Sequence, residues 1–319
     1  MNNNKIIGYL LLIIFFVNIY LYPGYLSASQ DIKIIVKVDN SIITSEDINF
    51  ESNYLTALNK DLNKLKKEEV YEIAKVSLIK EKIKRNEIEK YIDIQNLDND
   101  ELINDIIKDI YKRLGFESNS EFKSYLDTFE LSLIEVKEKL NIEMLWNQLI
   151  AGKYKNRINI DEDKIRKKIQ KEKINYQNII EYDLSEIIFS AKNTKELNFK
   201  TTEIKNTIDN TSFETAANRF SISDTANFGG NIGKVNENQL SKIIKDELKK
   251  IDINDYTDPI SIGNSFLIIK INKKDVINLE LDENEMVKRM IGIERKRQYE
   301  NFSLIYYNKI KLNSQIDEL

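Results

Sequence analysis

The apolar periodicity of the chain changes once, near Tyr182, and that change sets the kinds of structure open to it. From Glu46 to about Lys173 apolar residues recur three and four apart, which places them on one face of successive helices. Val70, Ile73, Ala74, Ser77 and Leu78 form one stripe, and Leu102, Ile103, Ile106, Ile107, Ile110 and Leu114 another. Phe122, Tyr125, Leu126 and Phe129 follow, then Leu133, Val136, Leu140 and Met144, and Asp161 can cap one more polar helix through Lys173. After Tyr182 the pattern shortens. Leu184 to Phe189 is a short apolar run fit for a buried strand, a polar helix is expected around Thr194 to Ile208, and Leu267 to Ile271 reads as a last strand.

Local signals punctuate this order. Ile34, Val36 and Val38 alternate with lysines and turn through Asp39-Asn40-Ser41 into Ile42-Ile43, the pattern of a short hairpin. Thr44-Ser45-Glu46-Asp47 has the spacing of a capping box, and Thr211-Ser212-Phe213-Glu214 reads as a second. Gly115 is placed to end a helix. Three of the nine glycines fall within Gly229-Gly230-Asn231-Ile232-Gly233, followed by a helix with Leu240, Ile243, Ile244 and Leu248 inward. Leu281 to Leu319 reads as a long helix with Ile291, Phe302 and Ile305 turned inward, followed by Ile310-Lys311-Leu312.

The residue inventory removes whole classes of chemistry. The 319 residues include no Cys and no His, so disulfide scaffolds, thiol catalysis, Ser-His-Asp triads and the usual zinc ligand sets are excluded. No carboxylate cluster has calcium-loop spacing and no Gly-x-x-x-x-Gly-Lys-Ser/Thr loop is present. No metal, cofactor or nucleotide is therefore expected. A formal net charge of -4 without a basic block argues against nucleic acid as partner. At the N-terminus, Lys5 precedes an apolar run from Ile6 to Tyr22, then Pro23-Gly24 and the small residues Ser27-Ala28-Ser29. That order is expected of a cleaved signal peptide over residues 1–29, with a retained membrane anchor as the alternative. Either way the rest of the chain is expected to be exported, to the periplasm.

Phe220-Ser221-Ile222-Ser223-Asp224-Thr225-Ala226-Asn227-Phe228-Gly229-Gly230-Asn231-Ile232-Gly233 resembles the parvulin signature of a Ser/Asp-rich loop followed by Gly-Gly-x-apolar-Gly. Leu248, Asp258-Pro259-Ile260 and Ile268-Ile269-Lys270-Ile271 follow in the family's order. The flanks, Val36 to Thr44 and Leu140 to Asp163, resemble those of SurA-like chaperones. The resemblance implies an α+β chain. Residues 31–175 would be a mainly helical chaperone module completed by a C-terminal helix and strand at 276–319, with a parvulin-type (PpiC) α+β domain inserted at 176–275. It also implies a periplasmic, ATP-independent chaperone whose partners are unfolded outer-membrane proteins or extended peptides.

The same resemblance points to the site. Active parvulins carry one histidine on the first strand and one on the last; those positions hold Glu186 and Leu267. The polar loop position falls at Ser223 or Asp224, and the peptide-binding positions at Ile232, Leu240, Ile244 and Phe266. An ionised carboxylate accepts but does not donate, and leucine does neither. The expectation is a prolyl isomerase fold with a degenerate site; the alternative is a working isomerase built on Ser223, Asp224 and Glu186.

Overall fold

The computed structural model describes residues 32–92, 94, 100–171, 179–277 and 283–319. The export segment expected over residues 1–29, the boundary expected between 175 and 176, and the helix start expected at Leu281 lie outside the described residues. The protein is α+β, with two small antiparallel sheets among its helices.

The chain enters through β1 (Ile34–Val38) and β2 (Ser41–Thr44), which pair antiparallel. Val36, Val38 and Ile43 point inward and are fully buried, as the two-residue period of a strand requires. Thr44 caps α1 (Ser45–Leu58): its hydroxyl accepts from the Asp47 amide at 3.2 Å, and Asp47 accepts from the Thr44 amide at 2.8 Å. The helices α2 (Lys67–Ile88), α3 (Asp100–Arg113), α4 (Asn119–Asp127), α5 (Leu133–Tyr154) and α6 (Glu162–Lys171) follow. Gly115, at φ +89°, ends the α3 region, and the Asp161 carboxylate caps α6 through the Lys164 amide at 2.8 Å. Ile73, Ala74, Leu78, Ile103, Ile107, Ile110, Phe122, Leu126, Val136 and Leu140 share one core, so the helical stripes do face inward. The α3 stripe is narrower than its sequence suggests, because Leu102 and Ile106 are 55% and 36% exposed.

The second sheet runs β4-β3-β6-β5. It is built from β3 (Ile179–Phe189), α7 (Thr194–Asn210), α8 (Phe213–Phe220), β4 (Asn231–Asn236), α9 (Lys242–Leu248), β5 (Ile260–Ile262) and β6 (Ser265–Ile277). Three local expectations change. The second half of the glycine cluster and the residues after it form β4, an edge strand that short polar composition hides. The α8 cap is Ser212, accepting from the Thr215 amide at 3.1 Å, while Thr211 donates back to the Thr207 carbonyl and closes α7. Ile243 is 62% exposed and Leu240 precedes α9, so that helix buries mainly Leu248.

The C-terminal segment is α10 (Glu283–Asn313) and β7 (Ile316–Glu318). Ile310-Lys311-Leu312 belongs to the helix; the strand comes after it. β7 pairs antiparallel with β1, and Lys75 of α2 meets Glu318 at 2.9 Å. On α10 the buried residues are Met286, Val287, Ser303, Tyr306 and Tyr307. Ile305 is 62% exposed, contrary to its expected inward position, whereas Phe302 stacks on Tyr154 with ring centroids 4.6 Å apart.

Candidate functional site

Alternation along β3 and β6 sorts the expected site residues onto two faces. Glu186 pairs with Ile269 and Ile188 with Leu267, so Glu186 and Leu267 stand on the same face of adjacent strands. Leu240, Leu267 and Ile269 are core there, with Ile188, Ile232 and Ile244 half-buried around them. Phe266 is one residue from Leu267 and therefore points to the opposite face, where it packs with Phe189 at 5.8 Å between centroids. The structure thus brings Ile232, Leu240 and Ile244 together and separates Phe266 from them.

The glycine turn is drawn onto β3 at Glu186. The Glu186 amide donates to the Gly230 carbonyl at 2.8 Å, and Gly230 holds φ +76° to make that approach. The preceding loop then lies over the Glu186 side chain. Ser223 and Thr225 donate their hydroxyls to Glu186 Oε1 at 2.8 and 3.0 Å. Burial pushes the Glu186 carboxyl above its ordinary range, although these two hydroxyls pull the other way. Glu186 is thus a hydroxyl-bonded carboxyl and Leu267 a core leucine.

Ser223 and Asp224 are neighbours with opposite partners. The Asp224 carboxylate turns away from Glu186 and meets Lys84 at 2.7 Å and Lys80 at 3.1 Å, both on α2. Lys84 is buried and also holds Glu143 of α5 at 2.5 Å. Burial alone would lower the Lys84 ammonium, but Asp224 and Glu143 outweigh it and hold it above its ordinary value. Burial likewise opposes the charge on Asp224, yet the two lysines hold it well below the usual carboxylate range. Lys80 also donates to the Ser223 carbonyl at 2.9 Å, and Ser303 of α10 lies 3.5 Å from Asp224 Oδ2.

Lys80, Lys84, Glu143, Thr225 and Ser303 were not among the residues read from sequence. A signal for the lysines was present: they continue the spacing of Ile73 and Ser77 down the inward side of α2. Charges in register with an apolar stripe must find buried partners. Among the described residues, no group of carboxylates is arranged to hold a metal ion.

Residues 180–273 match the family model of the rotamase, or PPIC-type PPIASE, domain. Chaperone SurA of Pseudomonas putida is 23% identical over 232 residues, a match covering 69% of this chain and 54% of that protein. The chain spans about half the length of the curated relative it matches. Among solved structures, a SurA-like chaperone of Campylobacter jejuni aligns over 90% of this chain and 99% of its own, at 16% identity and a TM-score of 0.35. The peptidylprolyl isomerase PrsA of Bacillus anthracis aligns over 76% and 98%, at 19% identity and a TM-score of 0.32. Residues 180–273 are thus a PPIC-type parvulin domain, carried in a chain that is similar to Chaperone SurA.

Proposed function

We propose that the chain is an exported, ATP-independent chaperone for unfolded outer-membrane proteins, and that its parvulin domain has lost useful prolyl isomerase activity. The export segment read at residues 1–29 and the likeness to Chaperone SurA support the periplasmic part of this reading. The observation that carries the catalytic part is the fate of the polar groups. Prolyl isomerisation faces a barrier of about 18–20 kcal/mol, and lowering it needs groups that hold the twisted amide better than the planar one. Here Leu267 is core, Ser223 and Thr225 spend their donors on Glu186, and Asp224 is paired with two lysines.

The test sets aggregation of an unfolded β-barrel client beside the cis/trans rate of a short proline peptide. The mature chain is expected to suppress aggregation and to leave the peptide rate at its background of tens to hundreds of seconds. Failure to suppress aggregation refutes the chaperone reading.

A second reading, a working isomerase, is favoured by one observation: the raised Glu186 carboxyl. A protonated Glu186 can donate a hydrogen bond where the ionised form cannot. Protonation increases as pH falls through the raised value, so on this reading the peptide rate climbs from neutral toward mildly acidic pH and is lost in Glu186→Ala. A flat pH profile with no enhancement supports the inactive site.

A further inference from the structure

One side of α2 holds the loop 222–228 by groups that do not depend on its being part of the same chain. Lys80 donates to the main-chain carbonyls of Ser223 at 2.9 Å and Ile222 at 3.4 Å. Lys80 and Lys84 together take the Asp224 carboxylate, and Asn227 Oδ1 lies 3.3 Å from the Ser77 hydroxyl, which donates to Glu51 at 2.6 Å. At the end of the loop, Phe228 packs against the helical core with the Arg113 guanidinium 5.5 Å from its ring. Asp224–Phe228 is wound into a 3₁₀ turn, so what α2 holds is a short acidic turn presenting two main-chain carbonyls, one carboxylate and one aromatic ring.

The charge balance favours such a ligand. Lys84 has only 1% of its side chain exposed and lies 5.5 Å from the Trp146 ring centre. Without Asp224, Lys80 and Lys84 would share Glu143 alone, leaving a cation short of an anion at a largely buried position. A segment replacing the loop restores this balance when it brings a carboxylate.

We propose that the Ser77–Lys80–Lys84 face of α2, backed by Trp146 and Arg113, is a binding site for short peptide segments that carry an Asp or Glu in a single 3₁₀ turn. The chain's own Ile222–Phe228 loop fills it as an internal ligand. A client segment that enters displaces the parvulin domain from α2. This rests on the chaperone reading above and names the segments its helical part selects.

The experiment uses the full mature chain and a fluorescein-labelled peptide of residues 219–230, with a second peptide in which the Asp224 equivalent is Asn. An internal ligand lowers apparent affinity by the fraction of time it occupies the site. The Asp224→Asn chain is therefore expected to bind the acidic peptide about tenfold more tightly than wild type by anisotropy. The Asn peptide is expected to bind the Asp224→Asn chain about tenfold more weakly than the acidic peptide, and adding Lys84→Met to Asp224→Asn to abolish that preference. Equal binding of the acidic peptide to wild type and Asp224→Asn, or equal binding of the two peptides to Asp224→Asn, overturns the proposal. Should Asp224→Asn fail to fold, hydrogen exchange on the wild-type chain decides. Saturating acidic peptide is expected to speed exchange of amides 222–230, and unchanged protection refutes the site. Aggregation suppression is scored on the same preparations. A chain that suppresses aggregation yet shows none of these peptide effects loses this inference alone; one that does not suppress loses the chaperone reading.

Discussion

A Cβ built on Gly230 would sit 2.2 Å from the carbonyl oxygen of Glu186 and 3.0 Å from the Cβ of Ala217. Backbone at that distance cannot swing aside as a flexible side chain can, and φ +76° is itself unfavourable for any residue with a Cβ. Gly230→Ala is expected to cost more than the ~1–3 kcal/mol of the strained conformation alone, because β3 or α8 must also shift. Gly115 supplies the comparison: it has φ +89° but nothing near its added Cβ, so Gly115→Ala should cost only about 1–2 kcal/mol. Urea denaturation of the two variants checks this, and equal losses would refute the close-approach account. The Gly-Gly motif was legible in the sequence because it is one contiguous run, even though the contact that demands Gly230 is made to Glu186 on β3. The partner of Asp224 was not, since Lys84 lies 140 residues away and no local pattern links them. Phe266 was misplaced for a different reason: a one-residue step along a strand reverses the face, and motif position alone does not say which face a neighbour takes.

Elements read well wherever one face had a single core to meet. The β1–β2 hairpin, the Thr44 capping box and the stripes of α2, α4 and α5 follow from spacing. β4 did not, because Asn231-Ile232-Gly233-Lys234-Val235-Asn236 lies at the sheet edge and offers little apolar signal. On α10 Ile291 and Phe302 do pack inward but Ile305 was misjudged, because a helix touching several elements in turn has no single stripe: Met286 and Val287 pack with α6, and Tyr306 with α5. Its central tie is Ser303, whose hydroxyl accepts from Trp146 Nε1 at 2.8 Å with both residues buried. Ser303→Ala leaves that indole donor unpaired and is expected to destabilise by about 1–3 kcal/mol, read as a lower urea midpoint at unchanged slope. Removing 276–319 takes away α10 and β7 together, uncovers Trp146, Tyr154 and Ile169, and is expected to abolish cooperative unfolding. A soluble, cooperative product ending at 275 would count against the role given to α10.

At the scale of the molecule, the parvulin domain leaves and rejoins the helical part at neighbouring points. Gln170 near the end of α6 donates to Glu283 at the start of α10 at 2.9 Å, and Arg166 meets Asn284 at 3.1 Å. The domain also has cores of its own on both faces of its sheet, distinct from the helical core. An insertion with adjacent ends and separate cores should be removable. Replacing residues 172–282 with a short Gly/Ser linker is therefore expected to leave β1, β2, α1 to α6, α10 and β7 cooperatively folded. The excision also removes Asp224 from Lys84 and Lys80 and takes Phe228 off the helical core. Some stability is lost with them, but relaxation and hydration at the newly opened surface should moderate the loss, since Glu143 remains to pair with Lys84. Circular dichroism and urea unfolding of the excised chain test this directly. A single transition with helical signal retained is the expected result. A molten product would mean that the helical part depends on the docked domain, and the two would then fold as one unit.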